Sequence, residues 1–114
     1  MSTEPPWFKE FPGAITICDT EGVIIDMNDT AAEVFKDDDG LGLLGTNVLA
    51  CHPEPALGKL EGMLDKQTTN AYFNTKKSEK RFFFQSPWYK EDRYAGFVEI
   101  SFEVPENIPH FIRE

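Results

Sequence analysis

Residues 13–28 read Gly-Ala-Ile-Thr-Ile-Cys-Asp-Thr-Glu-Gly-Val-Ile-Ile-Asp-Met-Asn, and this stretch decides the fold. Two short β-branched runs, Ala14–Cys18 and Val23–Met27, flank the polar tetrad Asp19-Thr20-Glu21-Gly22. Gly22 can take a positive φ, and the Asp19 carboxylate can accept from its own turn backbone, so the stretch predicts a β-hairpin. Ile15 and Ile17 alternate with Thr16 and Cys18. Val23, Ile25 and Met27 alternate with Ile24 and Asp26. That period of two predicts a half-buried antiparallel pair. Asn28-Asp29-Thr30 then forms a helix-start signal, and Ala31, Ala32, Val34 and Phe35 predict a short helix over about residues 29–36.

Upstream, residues 4–11 hold Trp7, Phe8 and Phe11 among Pro5, Pro6 and Pro12. Trp7 and Phe11 are spaced to share one face of a helical turn. The arm is expected to cap the sheet, or to present an aromatic patch for dimerisation. Downstream, Gly40-Leu41-Gly42-Leu43-Leu44-Gly45 matches G-x-G-x-x-G in form only. A dinucleotide fingerprint follows a strand and opens a helix, whereas this one follows a predicted helix and Asp37-Asp38-Asp39, which repel phosphate. An EF-hand loop ending at Gly40 would need an acid where Phe35 stands.

Leu57, Leu60 and Leu64 predict a helix over about residues 54–66 with one apolar face. Gly58 and Gly62 lie i, i+4 on a neighbouring face, each about 1 kcal/mol less favourable than Ala. They mark either a tolerated weakness or a groove that a ligand or the sheet approaches. Three strands follow, near residues 69–75, 80–89 and 94–104, separated by the charged turns Lys76–Glu79 and Lys90–Arg93. Pro87 implies an edge or a bend in the second of them. Phe82 and Phe84 fall on one side and Phe83 on the other. In the last strand, Gly96, Val98, Ile100 and Phe102 alternate with Phe97, Glu99, Ser101 and Glu103. An outer sheet face this apolar calls for a partner and favours a homodimer.

The chain has 114 residues and a formal net charge of −9. Its length suits one domain with a core of its own. The charge argues against direct nucleic-acid binding and against anionic membrane surfaces. There is no apolar run long enough to span a bilayer, and residues 1–11 lack the pattern of a secretory signal. A cytoplasmic location is expected. The two cysteines, Cys18 and Cys51, form no disulfide framework, and Cys18 is expected to be a small buried apolar residue. Cys18, Cys51, His52 and His110 lack the close paired spacing of a zinc site.

The order strand, acidic-Gly turn, strand ending in Asn28, short helices, longer helix and three strands resembles a PAS domain over about residues 12–104. Ala95–Ser101 is similar to the last strand of that family. Cys51-His52-Pro53-Glu54-Pro55 is similar to the Cys-His-Pro-Pro motif of one PAS subgroup, with Glu54 in place of the second Pro. The resemblance implies an α+β fold, with a five-stranded antiparallel sheet, short helices and one longer helix over one face. It divides the chain into an arm (1–12), a PAS domain (13–104) and a tail (105–114). It implies a non-enzymatic sensory module that binds heme, a flavin, a small metabolite or nothing, that dimerises, and that feeds a signalling partner such as a histidine kinase or a transcription regulator.

On that reading the pocket wall is expected from Leu57 and Leu60 of the helix and Phe73, Phe83, Val98 and Ile100 of the strands. His52 is the candidate axial ligand if heme is bound, and Cys51 beside it is a candidate ligand contact. The flavin-photoreceptor motif is absent, since Asn47-Val48-Leu49-Ala50-Cys51 has neither its Arg nor its Gln. Two rival functions stand beside the ligand sensor. One is a ligand-free dimerisation module. The other is a small α+β isomerase or hydrolase, which would need a buried carboxylate; Asp26 is the best candidate, but it is expected to be an exposed strand residue or a turn anchor.

Overall fold

The Asp19 turn closes as its sequence dictates. Asp19 Oδ1 accepts from the backbone N–H groups of Glu21 (2.9 Å) and Val23 (3.0 Å), and Gly22 sits at φ 88°. The hairpin joins β1 (Ala14–Cys18) to β2 (Ile24–Met27) in the computed structural model, which describes residues 5–51 and 54–114. Val23 lies outside β2 and bridges instead to Asn47, because residues 45–48 run along the outer edge of β2. Gly45 donates to the Ile24 carbonyl, Ile24 donates to that of Thr46, and the open strand edge is covered.

Before the hairpin stands the one-turn helix α1 (Pro6–Lys9), with Phe8 buried. Trp7 and Phe11 meet edge to face at 6.3 Å but stay largely exposed. After the hairpin, α2 spans Asp29–Val34. It stops two residues short of the predicted end and passes into 3-10 turns at Lys36–Asp38 and Gly40–Leu43. The reason is the acidic run. Asp37, Asp38 and Asp39 sit where the negative end of the helix dipole opposes carboxylates, and Asp39 turns the chain at φ 89°. Gly40–Gly45 is therefore a 3-10 turn and its exit, with no phosphate cradle. A third 3-10 turn, Val48–Cys51, precedes α3 (Ala56–Lys66), which starts two residues later than predicted, after Pro55.

The remaining strands are β3 (Asn70–Lys76), β4 (Glu79–Lys90) and β5 (Arg93–Glu103). All pairings are antiparallel, and the sheet order is β2-β1-β5-β4-β3. β3 ends opposite Gln85, so beyond that point β4 pairs with β5 alone. Pro87 occupies that one-sided stretch, where its missing N–H breaks no ladder, and a bulge follows at Trp88/Tyr89. At the same place Gly96 adopts φ 138°. A Cβ there would run into the Cys18 carbonyl oxygen, which receives the Trp88 indole N–H at 3.1 Å.

Helices and 3-10 turns cover one face of the sheet. Two apolar clusters fill the space beneath them. Ala14, Ile24, Met27 and Ala31 pack with Phe35, Leu43 and Val48. Cys18, Met63 and Phe97 pack with Leu64 and Tyr94. The Tyr94 hydroxyl donates to the Leu64 carbonyl at 3.1 Å and ties the last turn of α3 to β5. No described helix is long and apolar enough to cross a membrane.

Candidate functional site

The register decides which side chains face the helices. Tyr72 pairs with Phe83 and Phe83 with Ser101, so these three share the inner face with Phe97 and Glu99. Phe73 pairs with Phe82 and Phe82 with Phe102, which places those three on the outer face with Phe84 and Ile100. Between the inner face and the helices lies a cavity of about 530 Å³. β1 and β2 contribute Thr16, Cys18, Ile24 and Met27; α3 contributes Leu60, Met63 and Leu64. Phe35, Asp38, Leu43 and Val48 come from the segment between the hairpin and α3. Tyr72, Phe83, Gln85, Phe97, Val98 and Glu99 close the sheet side.

The apolar wall follows from alternation on the strands and from the i, i+3, i+4 spacing of Leu60, Met63 and Leu64 on α3. Within it runs one polar rung. Asn70, Gln85, Glu99 and Thr16 lie side by side across four strands. Asn70 Nδ2 donates to Gln85 Oε1 at 3.0 Å, and Gln85 Nε2 donates to Glu99 Oε2 at 2.7 Å. Tyr72 and Phe83 stack with planes 9° apart and centroids 5.0 Å apart. Burial pushes the Tyr72 hydroxyl pKa above its ordinary value, and the Glu99 charge adds to the rise. Burial likewise raises the Cys18 thiol, with Asp19 and Glu99 reinforcing it against a hydrogen bond from the Phe97 backbone. Cys18 is thus held as a neutral thiol and not as a thiolate.

Of the residues expected at the pocket wall, Leu60 and Phe83 border the cavity from its own side, Val98 borders it although it belongs to the outward set of β5 with Ile100, and Leu57 does not border it. Phe73 and Ile100 are corrected. Phe73 stands on the outer face, 53% exposed, under the Lys80 ammonium at 4.3 Å, and Ile100 pairs there with Ile15 and Phe84. The expectation failed because hydropathy marks Phe73 and Ile100 as the inward set, whereas the twofold alternation puts their neighbours Tyr72 and Glu99 inside. His52 and the side chain of Cys51 lie outside the described residues. Asp26 is a half-buried strand residue and no cavity carboxylate: it pairs with Ile17 away from the cavity, and its Oδ1 accepts from the backbone N–H of Met27 at 2.9 Å. The carboxylates that line the cavity are instead Glu99, with Gln85 and Asn70 behind it, and the exposed Asp38. The signal that could have found them is a polar residue at matching positions of three adjacent strands, which becomes visible only with the register.

The potential metal donors of the described lining include the neutral Cys18 thiol, the Met27 and Met63 thioethers and the Tyr72 phenol. It offers two carboxylates, Asp38 and Glu99, and no Lys or Arg to meet porphyrin propionates. The described lining supplies no cationic partner for propionates, and the candidate axial ligand His52 lies outside the described residues. Among the described residues no cluster of His, Cys, Asp and Glu is arranged to hold a metal ion.

No family model matches the sequence, and no curated protein matches it. Solved structures do. A PAS domain from Colwellia psychrerythraea superposes with a TM-score of 0.62 at 17% identity, covering 89% of this chain and 93% of that one. The Aer2 receptor of Vibrio cholerae, a dual PAS-heme oxygen sensor, gives a TM-score of 0.61 at 12% identity over 82% and 95% of the two chains. A sensory box sensor histidine kinase of Vibrio cholerae gives 0.61 at 18% identity over 86% of each. With its strand order, its helices on one face and the cavity beneath them, this chain has the PAS fold.

Proposed function

We propose that this chain is a cytoplasmic sensory and signalling module that takes a small ligand into the cavity and relays its presence through the sheet to a partner. The observation that carries the reading is the cavity. A space of about 530 Å³ with an apolar wall and one rung of polar groups has the size and make-up of a small-molecule site. Repacking around a ligand there would bias the arrangement of α3 and the sheet, which is a population shift between two states of one fold. Output to a histidine kinase or a transcription regulator is supported by the likeness to a sensor histidine kinase. The outer face, with Phe73, Phe84 and Phe102 exposed, supports a homodimer.

Binding is favoured over catalysis by the groups around Glu99. Those described include an amide, a hydroxyl, a neutral thiol and a phenol, none of them a general base poised near neutral pH. The acidic described lining favours a ligand other than heme, with heme the alternative that the likeness to a PAS-heme oxygen sensor supports. The test is native mass spectrometry of the purified chain, with its absorption spectrum and with small-molecule analysis of the denatured extract. We expect a co-purifying organic molecule without a Soret band, lost in Leu60→Trp, which fills the cavity. A Soret band reconstituted with hemin and lost in His52→Ala would replace this ligand class with heme. A chain that arrives empty, and whose cavity resonances no compound in a fragment library shifts, would leave the ligand-free dimerisation module.

A further inference from the structure

The two edges of the sheet differ. At β2 the edge is closed: Gly45 donates to the Ile24 carbonyl, Ile24 donates to that of Thr46, and Val23 bridges to Asn47. At β3 the edge is open. β3 pairs with β4 along its whole length, and among the described residues no segment pairs with its other side. A strand paired on one side leaves alternate N–H and C=O groups pointing outward, and natural edges are blunted by charge, Pro, a bulge or a covering segment. β3 reads Asn70-Ala71-Tyr72-Phe73-Asn74-Thr75-Lys76, without Gly, Pro or a charge before Lys76, and its register against β4 has no bulge. From Ala71 to Lys76 every residue is exposed. Backbone groups in this arrangement are complemented by one kind of partner, an extended strand.

β3 is complementary to itself in the antiparallel sense. About a twofold axis at Phe73, Ala71 meets the partner's Thr75, Tyr72 meets the partner's Asn74, and Asn70 meets the partner's Lys76. No like charges stand opposite each other in that register. Phe102, Phe82 and Phe73 form one rung across the outer face, and the partner's Phe73 continues it without a break. On the inner face Tyr72 borders the cavity, so the partner's Asn74 comes to stand beside a residue of the cavity wall. A slip of one residue would join the outer face of one copy to the inner face of the other. Because the β2 edge of each copy is covered, pairing through β3 closes at two copies and cannot propagate into a fibre.

We propose that the open edge of β3 pairs with β3 of a second copy, antiparallel about a twofold axis at Phe73, and joins the two five-stranded sheets edge to edge. This contact is made by backbone groups and is separate from a face-to-face pair through the outer aromatic patch. It is tested by amide exchange and NMR on the full chain, from tens of micromolar to millimolar concentration. The expected result is that one alternate set of β3 amides, those not bonded to β4, exchanges more slowly as concentration rises. A sample mixing labelled and unlabelled copies should show intermolecular contact between the Ala71 and Thr75 methyl groups, whose Cβ atoms lie about 5 Å apart in such a pair. Both residues are exposed, so they can carry charge without entering the core. Ala71→Lys with Thr75→Lys sets like charges opposite each other twice and should weaken the pair roughly tenfold. Ala71→Glu with Thr75→Lys sets opposite charges there and should restore it. Phe102→Glu lies two strands from the edge, so it acts on a face-to-face pair and should leave the β3 protection in place. β3 amides that exchange equally fast at both concentrations, or pairing as tight with the like charges as with the opposite ones, overturns the edge contact. A dimer that then dissolves in Phe102→Glu leaves the face-to-face pair standing alone.

Discussion

A single amide at position 28 joins three parts of the chain. Asn28 is 1% exposed. Its Oδ1 accepts from the N–H of Ala31 at 2.9 Å, capping α2, and from the N–H of Ile15 at 3.0 Å in β1. Its Nδ2 donates to the Gly13 carbonyl at 2.9 Å. Removing that side chain deletes a helix cap and strands buried backbone groups. Asn28→Ala should therefore cost roughly 3 kcal/mol, the sum of a lost cap and of unsatisfied buried partners. Asn28→Asp should fall between, since it keeps the acceptor but sets a carboxylate against the Gly13 carbonyl. Urea denaturation of the three proteins checks this, and equal losses for Ala and Asp would show that the donor is the group that matters. The cap was legible from Asn28-Asp29-Thr30. The bonds to Gly13 and Ile15 were not, because they cross from one strand to another and no local spacing encodes them. Glu99 was hidden for a related reason. In β5 the alternating sets are Val98, Ile100 and Phe102 against Phe97, Glu99 and Ser101, and the more apolar set faces outward. Period two separates the sets, but hydropathy then selects the wrong one when the outer face is itself apolar.

At the scale of elements, the two long hairpins are built against their local preferences. β3 and β4 join through Lys77 and Ser78 at φ 52° and 69°, and β4 and β5 through Glu91 and Asp92 at φ 52° and 66°. Two positive φ values in a two-residue loop are the type I′ geometry, in which the second position favours Gly. Lys-Ser and Glu-Asp adopt it because the flanking ladders impose it. These turns were legible as charged breaks between apolar runs, while their type was not, since neither carries Asn-Gly. Ser78→Gly and Asp92→Gly should each stabilise the chain by about 1 kcal/mol, relieving an L-residue of the left-handed region. The two sites close different hairpins, so the gains should add. The measurement is the denaturant midpoint at unchanged m-value, and a fall in midpoint for either variant would show that the side chain outweighs the strain. Gly96 is the opposite case. There the bulge, the Cys18 carbonyl and the Trp88 indole converge on a backbone position that admits no Cβ.

Over the whole molecule, the sheet is apolar on both faces; the inner face is covered, and the outer face is buried at Ile15 but open along β3, β4 and the end of β5. Inside, the clusters of β1, β2, α2 and α3 and the cavity use the inner face. Outside, Phe73 is 53%, Phe102 40% and Phe84 37% exposed, and Phe82 lies between them with ring centroids 5.3 Å from Phe73 and 5.7 Å from Phe102. Four aromatic rings on adjacent positions of β3, β4 and β5 form a contiguous patch of the kind that marks an interaction surface. The patch runs on the reverse side of the strands that carry Tyr72, Phe83 and Glu99, so a change of packing in the cavity reaches it through the thickness of one sheet. An isologous pair through this face would cover the patch with itself. The expected outcome is that the wild-type chain is a dimer by light scattering at micromolar concentration. Phe73→Glu with Phe102→Glu should then be monomeric with an unchanged circular dichroism spectrum, because both side chains stand on the exposed outer face and neither is in the core. If the ligand and the dimer are coupled, linkage requires that a cavity ligand shift the dimer dissociation constant by the same factor that dimerisation shifts ligand affinity. A monomeric wild-type chain that stays monomeric when the cavity is filled would remove the self-pairing role and assign the outer face to a different protein.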